Sequence, residues 1–560
     1  LSNLTACLRN AKQIICSSAH LNNQVVGYLE QLLAIKAHVL VNNHKPSAGR
    51  KCHWFDKSSH WLEELESRIR NGGNIFVTVT AQNASSVHSA KNIARKIHRD
   101  LKVPLHEILV VDAETTRTKD HDAKGVITDP SLLLKYRVVI ATPCIETGVS
   151  IDDPDGHFDA VFAFNSGCTT PQAAVQAVGR VRSSVDRFVC IARNGKTYFG
   201  GYTTAREVIR QVGKKAAQQR DDLARAGIAE TDLPDTCSDN IRAWGELVAD
   251  HNMLAKEFDF TVRTLLTLEG YEVTDSESAD EEIANLIKDQ LKGIAEETNA
   301  EECRSISRTT PAGEDEIDEL SRKGELTLQQ QQALEHAKIC RDYGIEQADE
   351  RQVLSHRQGG FQVLRTECLL EDMSPQTGTS ALVRKLDSLT AMKRKGITKD
   401  PFLGDYVHAF RQPQIQLLHE YGVLKLSRRR DEFTMHDADI VELHERAKRD
   451  ANRWRTVFNI NPATWKLPRG FIDFVLEKIG YRLLKLSQQR RFTNGKQARL
   501  YVIQTRFHCI DRRSIKAHIS DNITRRFDQA MADAIGDQHD PNCPEQQVTV
   551  ARFVTSAENA

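Results

Sequence analysis

The 560-residue sequence lacks the patterns that mark several classes of protein. It has no run of 18 apolar residues, which argues against a membrane-spanning helix. Its twelve cysteines include no Cys-x-x-Cys pair, so neither a disulfide framework nor a zinc site is indicated. Scattered thiols are typical of reduced, cytoplasmic proteins. We therefore expect a cytoplasmic protein with no membrane partner and no metal-ligating cluster.

A net charge of zero conceals two charged blocks. Residues 272–325 contain 17 acidic and 6 basic side chains, whereas residues 466–526 contain 15 basic and 4 acidic ones. A concentrated basic block indicates a nucleic-acid contact, although a solvated face of a folded domain has the same composition. The acidic block is typical of a solvated helix or a mobile linker.

Length and composition predict several regions in one chain. At about 150 residues per domain, the sequence holds three or four domains. Its first residue is Leu1 and not Met, so we expect an N-terminally truncated fragment. The predicted regions are a strand (13–16) and a helix within residues 1–41, a polar linker (42–60), an α/β domain (61–202), a mainly helical region (203–460), a basic module (461–527) and an acidic tail (528–560).

The α/β domain is predicted from short apolar runs that alternate with helical patterns. Helices are predicted at 84–101 and 171–182, where Thr170 and Pro171 form a favourable helix start. Alternation of this kind indicates a parallel sheet covered on both faces, with ligands at the carboxyl ends of its strands. The predicted strands are 75–80, 108–112, 138–142, 160–164 and 188–191.

The basic module combines a predicted helix (470–479) with two strands joined at Asn494-Gly495. Asn-Gly between strand-like runs is a strong hairpin signal, and a helix before a basic hairpin suggests a winged-helix-like fold. Cations beside the hairpin are candidate phosphate contacts. Phe492 and Tyr501 either stack on bases or fill the hairpin core. The candidate nucleic-acid-binding residues here are Arg490, Arg491, Lys496 and Arg499.

A tetrapeptide, Leu-Lys-Leu-Ser, occurs at 424–427 and again at 484–487. Each copy follows a predicted helix that ends at a glycine. A duplicated small module and a chance match explain it equally well.

Three segments of the α/β domain could carry chemistry. Residues 75–80 form a strand that ends in a hydroxyl residue. Residues 142–152 read Thr-Pro-x-x-x-x-Gly-x-Ser-x-Asp, and residues 176–182 read Gln-x-x-Gly-Arg-x-Arg. Within one helix, Gln176 and Arg180 would share a face, and a rigidly held guanidinium suits the charge of a transferring phosphoryl group. The alternative is an exposed helix that happens to carry two arginines.

Together these segments resemble motifs IV, V and VI of the second RecA-like lobe of superfamily 2 helicases. The resemblance implies that Arg180 is the arginine finger, with Arg182 as a second catalytic candidate. The sequence departs here from the DEAD-box pattern, in which the second arginine would stand at the position of Ser183. The resemblance further assigns Gly148, Asp152, Gln176 and Gly179 to the nucleotide cleft, and Thr80 and Thr142 to the DNA track.

A narrower resemblance is to herpesvirus-type origin-binding helicases and to plasmid replication proteins of cyanobacteria. It rests on the Gly-Arg-Val-Arg form of residues 179–182, on residues 17–21 (Ser-Ser-Ala-His-Leu) and on the Leu-Lys-Leu hairpin. It implies that residues 1–41 end a first RecA-like lobe. It also implies a role in replication initiation, with ATP and Mg²⁺, with single-stranded or forked DNA, and with other replication proteins as possible partners.

The sequence contains no Gly-x-x-x-x-Gly-Lys-Ser/Thr loop, which an ATPase needs to hold phosphates. Gly195-Lys196-Thr197 comes near, but Cys190 stands where the first glycine belongs. We expect the main ATP and Mg²⁺ ligands on an upstream lobe, so that this chain alone binds ATP weakly and hydrolyses none. Two alternatives stay open: a non-catalytic nucleic-acid-binding replication protein that retains a helicase lobe as a scaffold, and an unrelated nucleotide-binding or transferase domain.

Overall fold

A computed structural model gives the fold of the chain. It describes residues 2–17, 21–145, 149–225, 239–276, 281–374, 378–395, 411–491, 497–507 and 511–536. The chain divides into two compact units. Unit 1 consists of residues 1–198, 247–338 and 347–354, and unit 2 consists of residues 199–246, 339–346 and 355–560.

Regular elements occupy most of the described residues. The strands are β1 (Lys51–Phe55), β2 (Ile75–Val79), β3 (Ile108–Val111), β4 (Val138–Ala141), β5 (Ala160–Asn165), β6 (Asp186–Ile191), β7 (Glu272–Asp275), β8 (Tyr481–Arg491) and β9 (Gln497–Thr505). The α-helices are α1 (Ser2–Asn10), α2 (Asn23–Leu33), α3 (Ser58–Arg70), α4 (Ala90–Leu101), α5 (Pro171–Val178), α6 (Ala205–Arg225), α7 (Asp239–Lys256), α8 (Phe258–Leu268), α9 (Glu281–Arg308), α10 (Glu314–Arg322), α11 (Leu328–Tyr343), α12 (Glu350–Arg357), α13 (Gly360–Glu371), α14 (Ala381–Lys395), α15 (Arg411–Glu420), α16 (Val423–Ser427), α17 (Ala438–Arg449), α18 (Ala451–Phe458), α19 (Pro468–Glu477) and α20 (Arg512–Gly536).

Unit 1 is built on a parallel sheet. Among the described residues, seven strands pair in the order β3-β4-β2-β5-β6-β1-β7, and each neighbouring pair is parallel. All five predicted strands are present, with ends that differ by one or two residues. The prediction of an α/β fold with a parallel sheet is therefore confirmed.

Helices cover both faces of this sheet. On one face, α3, α4 and α9 bury Trp61, Ile93 and Leu291 against strand residues such as Val77 and Phe162. On the other face, α5 and α8 pack their apolar side chains against β1, β5 and β6. Strands buried on both faces read as continuous apolar runs, which is why the central strands were recognisable in the sequence.

Three expectations about the first part of the chain differ from the structure. The linker at 42–60 is wrong for its second half, because residues 51–55 form β1 between β6 and β7, and α3 begins at Ser58. The strand at 13–16 is also wrong, since residues 11–17 form no strand and Ile15 is 80% exposed. The α/β unit does not end near residue 202, because β7, α8, α9 and α10 belong to it.

The acidic block forms helices of unit 1. Helix α9 buries Ile287 and Leu291 in the sheet core, so it is not a linker. Its outward carboxylates meet the basic face of α4, where Arg95 contacts Glu301 at 2.7 Å and Arg99 contacts Glu297 at 3.1 Å. Acidic and basic side chains within one unit thus neutralise each other.

A buried ion pair lies beneath this interface. Lys96 is 1% exposed, and its Nζ is 2.9 Å from Glu66 Oε1 and 2.8 Å from Asp100 Oδ2. Gln290 of α9 accepts a further hydrogen bond from Lys96 at 3.1 Å. The ammonium group is therefore paired and hydrogen-bonded, which is the condition under which a buried charge is tolerated.

We expect Lys96→Met to lower the free energy of unfolding by up to about 3 kcal/mol, because it leaves Oε1 of the buried Glu66 without its ammonium partner, while Arg70 still pairs with Oε2 at 2.6 Å. The matched control is Arg95→Met, which removes a more exposed ion pair of the same helix and should cost less than about 1 kcal/mol. Urea unfolding of the two variants measures the difference. Equal losses of unfolding free energy in the two variants would show that the buried ion pair contributes no more to stability than the exposed one.

Unit 2 consists mainly of helices and of the antiparallel pair β8–β9. Its aromatic core includes Tyr421, Trp454 and Phe471, whose ring centroids lie 4.9–5.9 Å apart. The predicted hairpin strands are present, whereas Asn494-Gly495 lies outside the described residues. The first Leu-Lys-Leu-Ser copy is helical in α16 and the second is extended in β8, so the match does not mark a duplicated module.

The antiparallel pair is anchored on three sides. Phe433 and Tyr501 exchange backbone hydrogen bonds of 3.1 and 2.8 Å, which adds a third extended segment beside β9. Helix α19 packs against β8. Arg512 of α20 donates to Glu367 at 2.6 Å and to the Ile479 carbonyl at 2.8 Å. This arrangement fixes the orientation of the pair within unit 2.

In the part of the chain that the structure describes, no helix is long and apolar enough to cross a membrane.

Candidate functional site

The predicted site residues of unit 1 lie at two opposite edges of the sheet. Thr80 and Thr142 follow β2 and β4 directly, so they lie at the carboxyl edge. Helix α5 begins after β5 and returns the chain across the sheet, which places Arg180 and Arg182 before β6, at the amino edge. The two arginines therefore do not lie at the carboxyl ends, where we expected ligands, because they belong to a helix-to-strand connection.

At the amino edge, the second and third sequence segments lie side by side. Ile151 and Val181 form a parallel bridge, with backbone hydrogen bonds of 3.0 Å from Ile151 to Arg180 and from Arg182 to Ile151. Arg180 Nη1 donates to the Val149 carbonyl at 2.8 Å. We call residues 149–152 and 180–182 the amino-edge site.

Polar side chains of the amino-edge site form a short chain of hydrogen bonds. Arg182 Nε donates to Ser150 Oγ at 2.9 Å, and Ser150 Oγ donates to Asp152 Oδ1 at 3.3 Å. Arg50, just before β1, donates to the Arg182 carbonyl at 2.6 Å. The structure thus brings Asp152, Arg180 and Arg182 together, as the resemblance implied, and Arg182 and Asp152 are exposed. Gly148 lies outside the described residues.

Helix α5 ends earlier than predicted. Its last residue is Val178 and Gly179 caps it, with a hydrogen bond of 3.1 Å from Gly179 N to the Val175 carbonyl. Arg180 is therefore not on the helix, and the expectation that it shares a helix face with Gln176 is wrong. A Cβ at Gly179 would meet its nearest neighbours at 3.7 Å and the residue has a negative φ. The fold of this chain therefore does not require glycine there.

Arg187 holds the loop that carries the two arginines. Its side chain is fully buried, and its guanidinium donates to the carbonyls of Val181 at 2.8 Å, Ser183 at 3.1 Å and Val185. Burial lowers the pKa of Arg187 from its ordinary value. Sequence reasoning missed this residue, although an arginine directly before the apolar run of β6 is an unusual feature that could have drawn attention.

At the carboxyl edge, a narrow cleft lies between β2, β5 and the start of α5. Its lining includes Thr80, Pro143, Asn165 and Thr169. The hydroxyls of Thr80 and Ser166 are 2.8 Å apart, and Ser166 N donates to Thr80 Oγ1 at 3.1 Å. Thr80 is half-buried at this edge, and its contact with DNA stays a prediction.

Thr142 is placed differently from Thr80. It is 5% exposed, and its backbone N donates to the Val111 carbonyl at 2.9 Å. Its hydroxyl lies 3.5 Å from both the Val111 carbonyl and Cys144 Sγ. The side chain thus points towards the end of β3 and not to the surface.

Asn165 and Gly167 shape the cleft and were not predicted. Asn165 is buried, donates to Thr169 Oγ1 and accepts from Gly167 N, both at 2.8 Å. Gly167 has a φ of +77°, and a Cβ there would come within 2.5 Å of the Asn194 carbonyl oxygen. Only glycine fits this close approach. Lys196 N donates to the Gly167 carbonyl at 2.7 Å, so the Gly195-Lys196-Thr197 run supports the cleft.

A half-buried histidine, His88, adjoins the cleft. The ring of His88 stacks on Phe164 with centroids 4.3 Å apart, and Phe164 lines the cleft. Burial, with a smaller contribution from Lys288, lowers the pKa of His88 to about 4. The neutral imidazole is therefore part of the folded structure at neutral pH.

We expect the free energy of unfolding to fall by up to about 3 kcal/mol as the pH drops from 6.5 towards 4. The unfolded chain binds a proton at His88 below about 6.5, whereas the folded chain binds it only near 4, so acid favours unfolding in this window. In His88→Gln the free energy of unfolding should depend less on pH. The control, His106→Gln, changes an exposed position and should leave the pH dependence unaltered. Urea unfolding at several pH values measures both. A His88→Gln slope like that of the unmodified chain would contradict the assignment.

The predicted nucleic-acid-binding residues of unit 2 differ in their pairing and in their exposure. Arg490 forms an ion pair with Asp437 at 3.1 Å and donates to the Glu432 carbonyl at 3.0 Å. Arg491 is exposed and Arg499 is half-buried on β9. Lys496 and Phe492 lie outside the described residues. Tyr501 is 7% exposed and belongs to the core of the antiparallel pair, which confirms the packing alternative for its ring.

Among the residues that the structure describes, no group of three or more His, Cys, Asp or Glu side chains could hold a metal ion. Arg180 and Arg182 are cations suited to phosphate oxygens.

A comparison with protein families bears on unit 1. Residues 2–198 match the family described as origin of replication binding protein. The match includes the amino-edge site and the cleft at the carboxyl edge, and it covers about a third of the 560 residues. It supports the resemblance of this part of the chain to herpesvirus-type origin-binding helicases.

A longer protein matches over more of the chain. It is an uncharacterized protein of Picosynechococcus sp., 27% identical over 350 residues, which are 60% of this chain. The chain spans 35% of the length of that relative.

Proposed function

We propose that this chain is the C-terminal part of an ATP-dependent DNA helicase that acts in the initiation of replication, of plasmid or viral type. The amino-edge site is the observation that carries the proposal. It joins two sequence segments that resemble helicase motifs V and VI through the Ile151–Val181 bridge, within a region that matches the family of origin of replication binding proteins. The parallel-sheet part of unit 1 would act as the second RecA-like lobe, and residues 1–41, which belong to the same compact unit, would be the end of the first.

In this proposal the chain supplies cations, and an upstream lobe supplies the phosphate loop and the Mg²⁺ ligands. Arg180 would act as the arginine finger on the γ-phosphate of ATP, where a guanidinium neutralises charge that develops on the transferred group. Arg182 and Asp152 would line the same cleft, and Gln176 and Gly148 would complete it. Arg187 acts through the loop carbonyls and is a positioning residue.

Thr80 would contact the backbone of single-stranded or forked DNA at the carboxyl edge, together with Ser166. Because Thr142 faces inward in this conformation, it would contribute chiefly by holding the loop after β4. Other replication proteins could dock on the same assembly. In unit 2, the third extended segment at Phe433 supports a winged-helix-like module that binds DNA.

The decisive experiment measures ATP hydrolysis with and without DNA. We expect the 560-residue chain to bind ATP weakly and to hydrolyse none, and a protein extended by its own upstream reading frame to hydrolyse ATP when DNA is added. In the extended protein, Arg180→Ala should lower kcat by about 10³-fold or more. The control, Arg322→Ala, removes an exposed arginine of α10 in the same unit and should not change kcat.

Two results would contradict this function. Turnover by the 560-residue chain alone would mean that its own residues hold the phosphates. An extended protein that binds DNA but never hydrolyses ATP would favour a non-catalytic replication protein in which the lobe is a scaffold.

A further inference from the structure

A third arginine, Arg50, adjoins the amino-edge site from a different part of the chain. Its Nη2 donates to the Arg182 carbonyl at 2.6 Å, so its guanidinium lies beside the segment that carries Arg180 and Arg182. That segment is extended where Val181 bridges Ile151, and side chains two residues apart in an extended segment lie on the same side. The fold therefore gathers three guanidinium groups at one edge of the sheet.

The backbone of Arg50 is held on both sides. Its N–H donates to the Ser47 carbonyl at 3.1 Å, and its carbonyl accepts from Glu272 N at 2.8 Å. The next residue begins β1, which pairs with β6 and with β7. Gly270 of the neighbouring loop has a φ of +101°, and a Cβ there would stand 3.0 Å from the Ala48 backbone. Only the side chain of Arg50 is therefore left to be ordered when a ligand binds.

The charges of Arg50 and Arg182 form no ion pair with a carboxylate of the described residues. Arg50 donates to a backbone carbonyl, and Arg182 donates to the Ser150 hydroxyl. Burial raises the pKa of Glu269, although the charge of Arg182 opposes that shift. Burial, and to a smaller extent the charge of Arg50, lowers the pKa of Arg187. Like charges gathered in this way repel each other, and a bound anion would offset the repulsion.

We infer that Arg50 is a third cation of the amino-edge site and binds the same polyphosphate chain as Arg182. The inference rests on the function proposed above, in which that polyphosphate belongs to ATP. It goes beyond the arginine-finger assignment, because Arg50 lies outside both motif-like segments. It comes instead from residues 42–60, which the sequence pattern assigned to a linker.

The chemistry of the guanidinium group suits this ligand. Arginine presents five N–H donors in a planar fork that matches phosphate oxygens. Among the described residues, the Arg50 side chain donates only to the Arg182 carbonyl, so most of its donors are left for a ligand. Hydrogen bonds between a guanidinium and a phosphate are about twice as strong as those between neutral groups. Cations placed in a row along an extended segment match the linked phosphoryl groups of a polyphosphate.

The test measures the binding of inorganic tripolyphosphate to the 560-residue chain by isothermal titration calorimetry. Low ionic strength is used, because salt screens exposed charges. Arg50→Gln should weaken binding about tenfold, the loss expected for one hydrogen bond to a charged group. The matched control, Arg322→Gln, removes an exposed arginine of the same unit and should change the dissociation constant by less than about twofold. A single-stranded oligonucleotide is titrated in parallel, since nucleic acids also present phosphate oxygens.

A second comparison separates binding by Arg50 from support of Arg182. In the Arg182→Gln chain, Arg50→Gln should still weaken tripolyphosphate binding, by about threefold or more. If Arg50 only holds the Arg182 backbone, the double variant will bind like Arg182→Gln alone. Arg50→Lys keeps the charge but not the planar fork, so we expect an intermediate loss. The thermal midpoint without ligand verifies that each variant is folded, and Arg50→Lys serves for the comparison if Arg50→Gln does not fold.

Each of four results would overturn the inference. They are no detectable binding of tripolyphosphate by the unmodified chain, equal binding by Arg50→Gln and Arg322→Gln, no further loss in the double variant, and dependence on Arg50 of oligonucleotide binding alone. Because the measurement needs neither hydrolysis nor an upstream lobe, a failure here leaves the role of Arg180 intact. Conversely, an extended protein without ATPase activity would still bind tripolyphosphate through Arg50.

Discussion

The common direction of the strands in unit 1 is the constraint on which its other features depend. When all strands run parallel, every connection must carry the chain back across the sheet. Each strand therefore begins and ends in loops at opposite edges, which are separated by the length of a strand, about 15–20 Å. This is why Thr80 and Arg180 are apart although both adjoin the central strands.

Two buried cations show how the loops and helices around this sheet are fixed. Lys96 is neutralised by carboxylates, so it ties α4 to α3 and α9. Arg187 is surrounded by backbone carbonyls of one loop, and it therefore determines the conformation of a segment that has little regular structure of its own. Both cations are costly to desolvate, and their hydrogen bonds offset that cost only in one geometry. In unit 1, these buried charges therefore fix the positions of the helices and of the loop around them.

Much of the fold was readable from the sequence because its central strands are buried on both faces. Runs such as Ile75–Val79 are apolar and β-branched throughout, and the Thr170-Pro171 pair marked the first residue of α5 correctly. Strand β1 escaped notice because Lys-Cys-His-Trp-Phe has neither β-branched residues nor clear alternation. It forms a strand because β6 and β7 pair with it on either side. The tetrapeptide shared by α16 and β8 shows the same limit, since four residues adopt whichever state their surroundings impose.

The candidate site was predictable in its parts but not in its arrangement. Motif-like spacing identified Asp152, Arg180 and Arg182, and the structure places them together. Spacing could not reveal that α5 ends at Val178, because a glycine directly before an arginine is compatible with either a helix or a cap. Nor could it find Arg187, whose role depends on three carbonyls that converge only after folding. In the antiparallel pair β8–β9, sequence reasoning found the positive charge but not that Arg490 is ion-paired with Asp437.

The place of β1 in the sheet has a consequence for synthesis on the ribosome. Of the seven strands described in the parallel sheet, this one leaves the ribosome first, yet its partners are β6 and β7, which end at Ile191 and Asp275. At about 5–20 residues per second, the chain must wait roughly 10–40 s after Phe55 before β7 has been made. During that time Cys52, Trp54 and Phe55, buried in the finished unit, have no partner strand on one side. The nascent chain therefore exposes an apolar segment that chaperones can bind and that can associate prematurely with other chains.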